Sequence, residues 1–278
     1  MIVKSMGIVI VVLAGILFVV ITMLGIAKVK DGSRVNRIWS SLRIPGESEV
    51  IFSPEMVEGL PPVARRYLLH AIEPGTPVAS WVEIQMKGEI KPDREWMPFV
   101  AKQILTPGRG FVWRAKAKKG FLPIEIADHY LEGKARVRIT LLGLIPIVNT
   151  SGPDVVKSAA GRLLGECVWI PSALLPQHGA VWEEVDDSHA KVTLSVGGFK
   201  TTLTLTIDRD GSLKQVVLPR WKDTEKDFVS FGAAVEEERT FGGYTIPSKL
   251  RVGWWFGTDQ YVEFFRAEID TVWFGYSL

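Results

Sequence analysis

The sequence is poor in the residues that build disulfides, metal sites and strongly charged surfaces. It has one cysteine, Cys167, which excludes an internal disulfide and a multi-cysteine zinc site. Its four histidines lie too far apart along the chain to form a short ligand motif. Lys+Arg 33 against Asp+Glu 31 leaves a net charge of +2, so the chain has no basic field for nucleic acid. The sequence therefore predicts no metal, no cofactor and no nucleic-acid partner.

Short catalytic motifs are also missing. No serine stands in a G-x-S-x-G setting, and there is no H-E-x-x-H, no P-loop and no G-x-G-x-x-G before a helix. Asp128 and His129 come nearest to an acid–base pair. Adjacent strand residues point to opposite faces, however, so Asp128 is not placed to orient His129. We predict no catalytic residue, and the chain favours a binding role over an enzymatic one.

One long apolar segment stands near the N-terminus. Residues 7–27 form a run of 21 residues without a charge, which as a helix would span roughly 31 Å. This length matches a bilayer core of about 30 Å and exceeds the apolar region of a signal peptide, about 7–15 residues. We therefore predict an uncleaved transmembrane anchor within residues 1–30, with the membrane as a partner.

The charges around this segment leave the side of the membrane open. Lys4 precedes the run, and five cations follow it: Lys28, Lys30, Arg34, Arg37 and Arg43. Counted strictly, this excess places the rest of the chain in the cytoplasm. An apolar segment behind a single lysine is also how many exported, tethered domains begin. We favour the extracytoplasmic side, although the positive-inside count favours the cytoplasmic one.

The remaining chain changes its pattern twice. Residues 31–53 are polar and predict a linker with a short helix at 34–42, and residues 54–278 predict a single β-rich domain. From residue 80 onward, apolar and polar residues alternate with period two in many short runs separated by glycine and proline turns. Residues 144–147 contain a proline and predict a loop, and residues 155–169 predict an inserted helix. The fold class is α+β, mainly antiparallel β: a curved meander, half-barrel or barrel, with an inserted helix.

Aromatic residues indicate what the interior of such a sheet holds. The chain has ten Trp and thirteen Phe, which either fill a core or line an apolar cavity. Arg162 and Glu166 stand four apart on the inserted helix and form either an ordinary intrahelical ion pair or a polar gate facing the concave sheet. The predicted ligand-binding residues are Trp96, Trp113, Arg162, Glu166 and Trp169.

Two predicted strands carry alternating cations. Each set of three shares one face of its strand, because side chains in a strand alternate with period two. Such a surface is either paired with neighbouring carboxylates or meets anionic lipid headgroups. The two sets are Arg114, Lys116 and Lys118, and Lys134, Arg136 and Arg138.

Four segments resemble motifs of an uncharacterised bacterial family of membrane-anchored proteins. They are LPPVARRYL at 60–68, WMPFVAKQ at 96–103, GFVW at 110–113 and GRLLGECVWIPSALL at 161–175. The likeness covers most of residues 55–275 and implies an N-terminal anchor. The family's motifs have no assigned chemistry, so the resemblance implies no catalytic residue. The expected architecture is also distantly similar to the half-barrels of lipoprotein-carrier and lipoprotein-sorting proteins, which shelter acyl chains.

These observations predict a membrane-anchored binding protein for a hydrophobic or amphiphilic ligand, a lipid or acyl chain, in envelope lipid or lipoprotein handling. One alternative is a membrane-tethered scaffold that binds a protein partner. A less favoured alternative is a hydrolase using Glu166, Arg162 or His129.

Overall fold

A computed structural model describes residues 2–44, 46 and 50–276. Its centre is one antiparallel, curved and unclosed sheet of thirteen strands. The strands are β1 (Trp81–Ile90), β2 (Met97–Thr106), β3 (Gly110–Lys119), β4 (Leu122–Leu131), β5 (Lys134–Leu141), β6 (Ile145–Ser151), β7 (Val181–Asp186), β8 (His189–Val196), β9 (Phe199–Ile207), β10 (Leu213–Lys222), β11 (Asp227–Phe241), β12 (Tyr244–Trp254) and β13 (Val262–Gly275). The predicted fold class, an α+β half-barrel dominated by antiparallel strands, is confirmed.

The sheet consists of two meanders joined at their first and last strands. Its order is β6-β5-β4-β3-β2-β1-β13-β12-β11-β10-β9-β8-β7, so each strand lies beside its neighbours in sequence except where β1 pairs with β13. The two outer edges, β6 and β7, are consecutive in the chain. The segment that connects them must therefore travel from one edge of the sheet to the other.

The connecting segment crosses the concave face of the sheet. It contains helix α3 (Pro153–Gly165) followed by three short 3-10 turns. Helix α3 packs on strands of both meanders, most extensively on β10. Gly161 and Gly165 allow this approach, because a Cβ at either position would lie 3.2 Å from a side-chain carbon of Arg220 or Leu218 on β10. The sequence places this helix correctly, although its regular part ends at residue 165 rather than 169.

Strand β6 is the element that the sequence does not indicate. Residues 144–147 were expected to form a loop because of Pro146, yet β6 begins at Ile145 and pairs with β5. A proline cannot donate a ladder hydrogen bond and is tolerated on edge strands. Since β6 is the edge of the sheet, Pro146 fits there.

Helix α1 (Ile2–Leu42) is longer than the apolar run and reaches the sheet. In the described part of the chain it is the helix long and apolar enough to cross a bilayer. Its last turns pack on the convex face, where Val35 and Leu42 are buried against Ile104 and Val112. Of the predicted linker, residues 31–42 thus belong to a docked helix, and residues 45 and 47–49 lie outside the described residues.

Polar contacts fix α1 on the basic face of β3–β5. Asp31 accepts bonds from Arg136 and Arg138, each at 2.8 Å, and all three side chains are largely buried. Arg114 donates to Asn36 at 2.6 Å. These three cations therefore meet the helix and form a paired surface, which leaves them no open face for lipid headgroups.

Helix α2 (Pro62–Ala71) follows a short 3-10 turn at Pro54–Val57 and packs against β7, β8 and β12. Its buried face includes Tyr67 and Leu68. The core on the concave side is continuous from α2 to α3, and the smaller cluster under α1 lies on the opposite face of the sheet.

Candidate functional site

A cavity of about 500 Å³ lies between the concave face of the sheet and the C-terminal half of α3. Both meanders contribute aliphatic and aromatic side chains to its wall. The aromatic members support one another: the rings of Phe231 and Trp254 pack edge to face at 4.8 Å, and those of Trp113 and Phe265 at 6.2 Å. Ligand cavities are commonly of this size, about 300–1,000 Å³, and are mostly apolar with a few polar groups.

The polar part of the wall is centred on Arg162 of α3. Its guanidinium bonds Asp128 Oδ2 and Glu166 Oε1, each at 2.7 Å, and donates to Gln103 Oε1 at 3.1 Å. Gln103 in turn donates to Glu166 Oε2 at 2.7 Å. The charged side chains are 15–17% exposed. This network binds α3 to β2 and β4 inside the half-barrel.

The carboxylates decide the charge state of Arg162. Burial by itself lowers the pKa of the guanidinium, but the charges of Glu166 and Asp128 outweigh it, so the pKa lies above its usual value. A buried ion pair of this kind costs desolvation energy and is strongly destabilised when one partner is removed.

Arg220 of β10 also lines the cavity, but its contacts differ from those of Arg162. Its Nε donates to the Ser158 carbonyl at 3.0 Å, and its guanidinium carbon lies 4.5 Å from the Phe231 ring centroid and 5.2 Å from that of Trp254. No carboxylate among the described residues forms an ion pair with it. Burial first, and then the charge of Arg162, lowers the pKa of Arg220 to about 10.

Further polar atoms on the cavity wall have unused bonding capacity. Trp113 Nε1 and Asp128 Oδ1 are buried and have no hydrogen-bond partner in the part of the chain that the structure describes. Both residues line the cavity, as does Arg220. Among the residues that line the cavity, Trp113 thus has an unused indole donor, Asp128 an unused carboxylate acceptor and Arg220 further guanidinium donors.

The structure brings four of the five predicted ligand-binding residues to the cavity. Trp113, Arg162, Glu166 and Trp169 belong to its lining. Trp96 does not: its ring lies between Lys91 and Arg266, 5.0 Å from the Lys91 ammonium and 4.3 Å from the guanidinium carbon. Pro92 of the β1–β2 turn and Met97 at the start of β2 line the cavity instead.

Sequence reasoning did not assign three polar residues to this site: Gln103 and Arg220, which it did not single out, and Asp128, which it considered only beside His129. Each lies on the apolar face of its strand. Arg220, for example, follows Val216 and Leu218 with the period of two that puts all three on the concave side. A polar residue that continues an inward-facing apolar series was the signal available in the sequence.

The two apolar, proline-containing segments on either side of α3 differ from each other. Residues 169–175 are buried under the sheet as a packed crossover, with Ile170 and Leu175 fully covered. Ile145 and Ile147 are exposed at the edge of the sheet. Only the second segment has side chains free to meet another surface.

The other chemically reactive groups lie away from this cavity. His129 is buried on the outward face of β4, under α1, and burial lowers its pKa. Burial raises the pKa of the Cys167 thiol to about 12, which keeps it protonated. Asp186 and Ser188 approach the same ring nitrogen of His189, Nδ1, at 2.8 and 3.1 Å within one turn, so this trio cannot relay a proton. The described residues contain no cluster suited to a metal ion.

Three solved structures are loosely similar to the chain. A LolA-superfamily protein of Nitrosomonas europaea aligns with TM-score 0.40 and 11% identity, covering 78% of this chain and 93% of that one. An outer-membrane lipoprotein-sorting protein domain of Vibrio parahaemolyticus gives 0.34 and 14%, covering 72% and 87%. A DUF1329 family protein of Desulfovibrio piger gives 0.35 and 12%, covering 78% and 92%. Likeness at this level says nothing about a ligand.

Comparison with curated proteins gives no match. One family does match, over residues 50–267, which comprise nearly the whole sheet together with α2 and α3. Its description assigns no chemistry. The chain belongs to the family of unknown function DUF6544.

Proposed function

We propose that this protein is a membrane-anchored binding protein for an amphiphilic ligand with an acyl chain. The observation that carries the proposal is the cavity of about 500 Å³ inside the half-barrel, walled by aliphatic and aromatic side chains. Transfer of each methylene from water into such a wall contributes about 0.8 kcal/mol. A chain of about ten methylenes therefore gains about 8 kcal/mol, comparable to the entropic cost of association.

The polar groups on the wall support an amphiphile over a pure hydrocarbon. Trp113 Nε1 and the terminal nitrogens of Arg220 are donors, and Asp128 Oδ1 is an acceptor; all three residues line the mostly apolar cavity. A buried polar atom without a partner costs free energy that a ligand head group can recover. A carboxylate, phosphate or ester oxygen suits the donors.

The anchor in this proposal is the apolar part of α1. Its side chains from residue 11 onward to the sheet are exposed to the surroundings of the protein, and the helix satisfies its own backbone hydrogen bonds. An exposed apolar surface of this length is stabilised by hydrocarbon rather than by water. We place the sheet on the extracytoplasmic side, where envelope lipids and lipoproteins are handled.

Binding of a fatty-acid series tests the cavity. Fatty acids of increasing length are titrated into the full chain in mild detergent, and the displacement of a bound fluorescent probe is measured. Each added methylene should tighten binding about fourfold until the cavity is full, because about 0.8 kcal/mol corresponds to that factor.

A matched pair of variants locates the site. Ala233 lines the cavity, and Ala234 is the next residue on β11, outside the lining. A233W should abolish displacement by filling the cavity, and A234W should retain it. Equal binding by both variants, or native mass spectra that show a ligand-free protein with no uptake, contradicts the proposal.

A further inference from the structure

The docked half of α1 sets the direction in which its apolar half leaves the sheet. Lys28 lies 3.5 Å from Glu125, near the start of β4, and the Leu42 carbonyl accepts a bond of 2.8 Å from Thr106 at the end of β2. The helix therefore descends the convex face from the β3–β4 turn toward the β2–β3 turn. Its apolar part, which precedes Lys28, extends beyond the β3–β4 turn.

Two of the three turns at the same end of the sheet carry exposed apolar side chains, and the β1–β2 turn exposes Pro92 and the charged residues 93–95. By strand register, the β1–β2, β3–β4 and β5–β6 turns all lie at this end. Phe121 is fully exposed at the tip of β3–β4, and Lys28 of α1 lies directly beside Gly143 in the β5–β6 turn. The other exposed apolar residues here are Leu122, Leu142, Ile145 and Ile147.

The cavity reaches this end as well. Pro92 of the β1–β2 turn, Lys119 at the end of β3 and Ile147 of β6 all line the cavity and are exposed to solvent. Ile124 and Ile139 continue the lining inward from these rim residues. The exposed turns are thus the rim of the cavity mouth.

From this juxtaposition we infer that the mouth of the cavity rests in the surface of the same bilayer that holds α1, and that the ligand passes between bilayer and cavity without crossing water. The inference rests on the proposed function, since it takes α1 as the anchor. We identify the surface that covers the rim as lipid, because the rim adjoins α1: Lys28, which directly follows the apolar run, lies beside Gly143 in the β5–β6 turn. Its composition agrees: an aromatic tip and apolar residues are flanked by Lys118 and Lys119, and such sets partition to the headgroup layer, each lysine being worth about 1 kcal/mol near anionic lipid.

Site-specific fluorescence in proteoliposomes tests the inference with the full chain. Single cysteines are introduced as F121C at the rim, A14C in α1 and K134C at the start of β5 at the opposite end, and each is labelled with an environment-sensitive dye. The native Cys167 is buried and its thiol stays protonated, so it does not compete for label. The vesicles contain phosphatidylglycerol and a spin-labelled lipid that quenches dyes within the bilayer.

We expect the dyes at residues 14 and 121 to be quenched by the spin-labelled lipid and the dye at residue 134 to remain unquenched. Quenching at 14 without quenching at 121 overturns the inference and leaves the anchor intact. Absence of quenching at 14 overturns the anchor and the inference together. Labelling at I147C, on the other side of the rim, repeats the measurement should F121C fold poorly.

A transfer assay separates entry from binding. Two acidic residues at the rim, F121E with L122E, should slow loading of the protein from anionic vesicles by about tenfold or more, because each charge is repelled by the membrane surface. Equilibrium affinity for a fatty acid in detergent should stay unchanged. Unaltered loading overturns the membrane-facing mouth, whereas loss of equilibrium binding in the parent protein would instead contradict the proposed function.

Discussion

Arg162 and Arg220 line one cavity, yet they are held there by different forces. Arg162 has two carboxylates within hydrogen-bond distance, and Arg220 has a backbone carbonyl and two aromatic rings. The first guanidinium is a structural tie between α3 and the sheet. The second is a desolvated cation with donors to spare, which is the property expected of a ligand contact.

The same substitution at both positions should separate these roles. R162M leaves Asp128 and Glu166 buried without their cation and should reduce the free energy of unfolding by about 3–5 kcal/mol. R220M removes a charge that burial already disfavours, so its effect on stability should stay within about 1 kcal/mol. Chemical unfolding of the full chain in detergent measures both. Equal losses for the two variants would show that Arg220 is also a structural tie.

At the scale of elements, the strands were predictable because alternation survives wherever one face of the sheet is buried. In β8, for example, every second residue from Ala190 to Val196 is buried and the residues between them are not. Strand β6 was missed because a proline is typical of a loop. A proline is tolerated in this strand because β6 lies at the edge of the sheet. The short helix expected at 34–42 is the end of α1, since a helix continues across a charged boundary when the sheet offers partners such as Arg136 and Arg138.

The docking of α1 should weaken on acidification through His129. Burial lowers the pKa of His129, with Asp128 and Asp31 opposing and Arg136 and Arg34 adding to the effect. A histidine whose folded pKa is depressed contributes stability that is present above its unfolded pKa and is lost as the pH falls through the folded pKa. The window therefore begins at about 6.5 and extends to lower pH.

Hydrogen exchange of residues 28–42, measured on the full chain from pH 7 to pH 5, reports this docking. Protection, after correction for intrinsic exchange rates, should fall with pH in the native protein and stay flatter in H129Q, which keeps a polar side chain that does not titrate. If protection falls with pH equally in the native protein and in H129Q, protonation of His129 is not the cause of the weaker docking.

At the scale of the whole molecule, the sheet, α3 and α1 have distinct structural roles. The two meanders supply a concave wall, and α3 closes it by crossing from edge to edge. Helix α1 holds the opposite face and projects past the cavity rim. The fold thus places an apolar cavity, its rim and the proposed anchor at the same end.

The side of the membrane is a prediction at this scale. With the sheet outside the cytoplasm, a β-lactamase fused after residue 278 should protect bacteria from ampicillin, while a cytoplasmic-only fluorescent fusion at the same point should stay dark. The count of cations that follow the apolar run argues for the reverse, because lysines and arginines near an apolar segment favour the cytoplasm. A bright fluorescent fusion without protection would reverse the orientation proposed here.

The sequence by itself determined the elements of this protein: an apolar segment of membrane length, a long series of alternating strands, and one helix between them. These follow from local periodicity, which is set by backbone geometry and by the burial of one face. Only the tertiary structure decided that Arg162 meets Asp128, that Arg220 is left without a carboxylate, and that the chain from β6 to β7 encloses a cavity. Those outcomes depend on which strands become the edges of the sheet, and pairing between residues far apart in the chain leaves no periodic trace in the sequence.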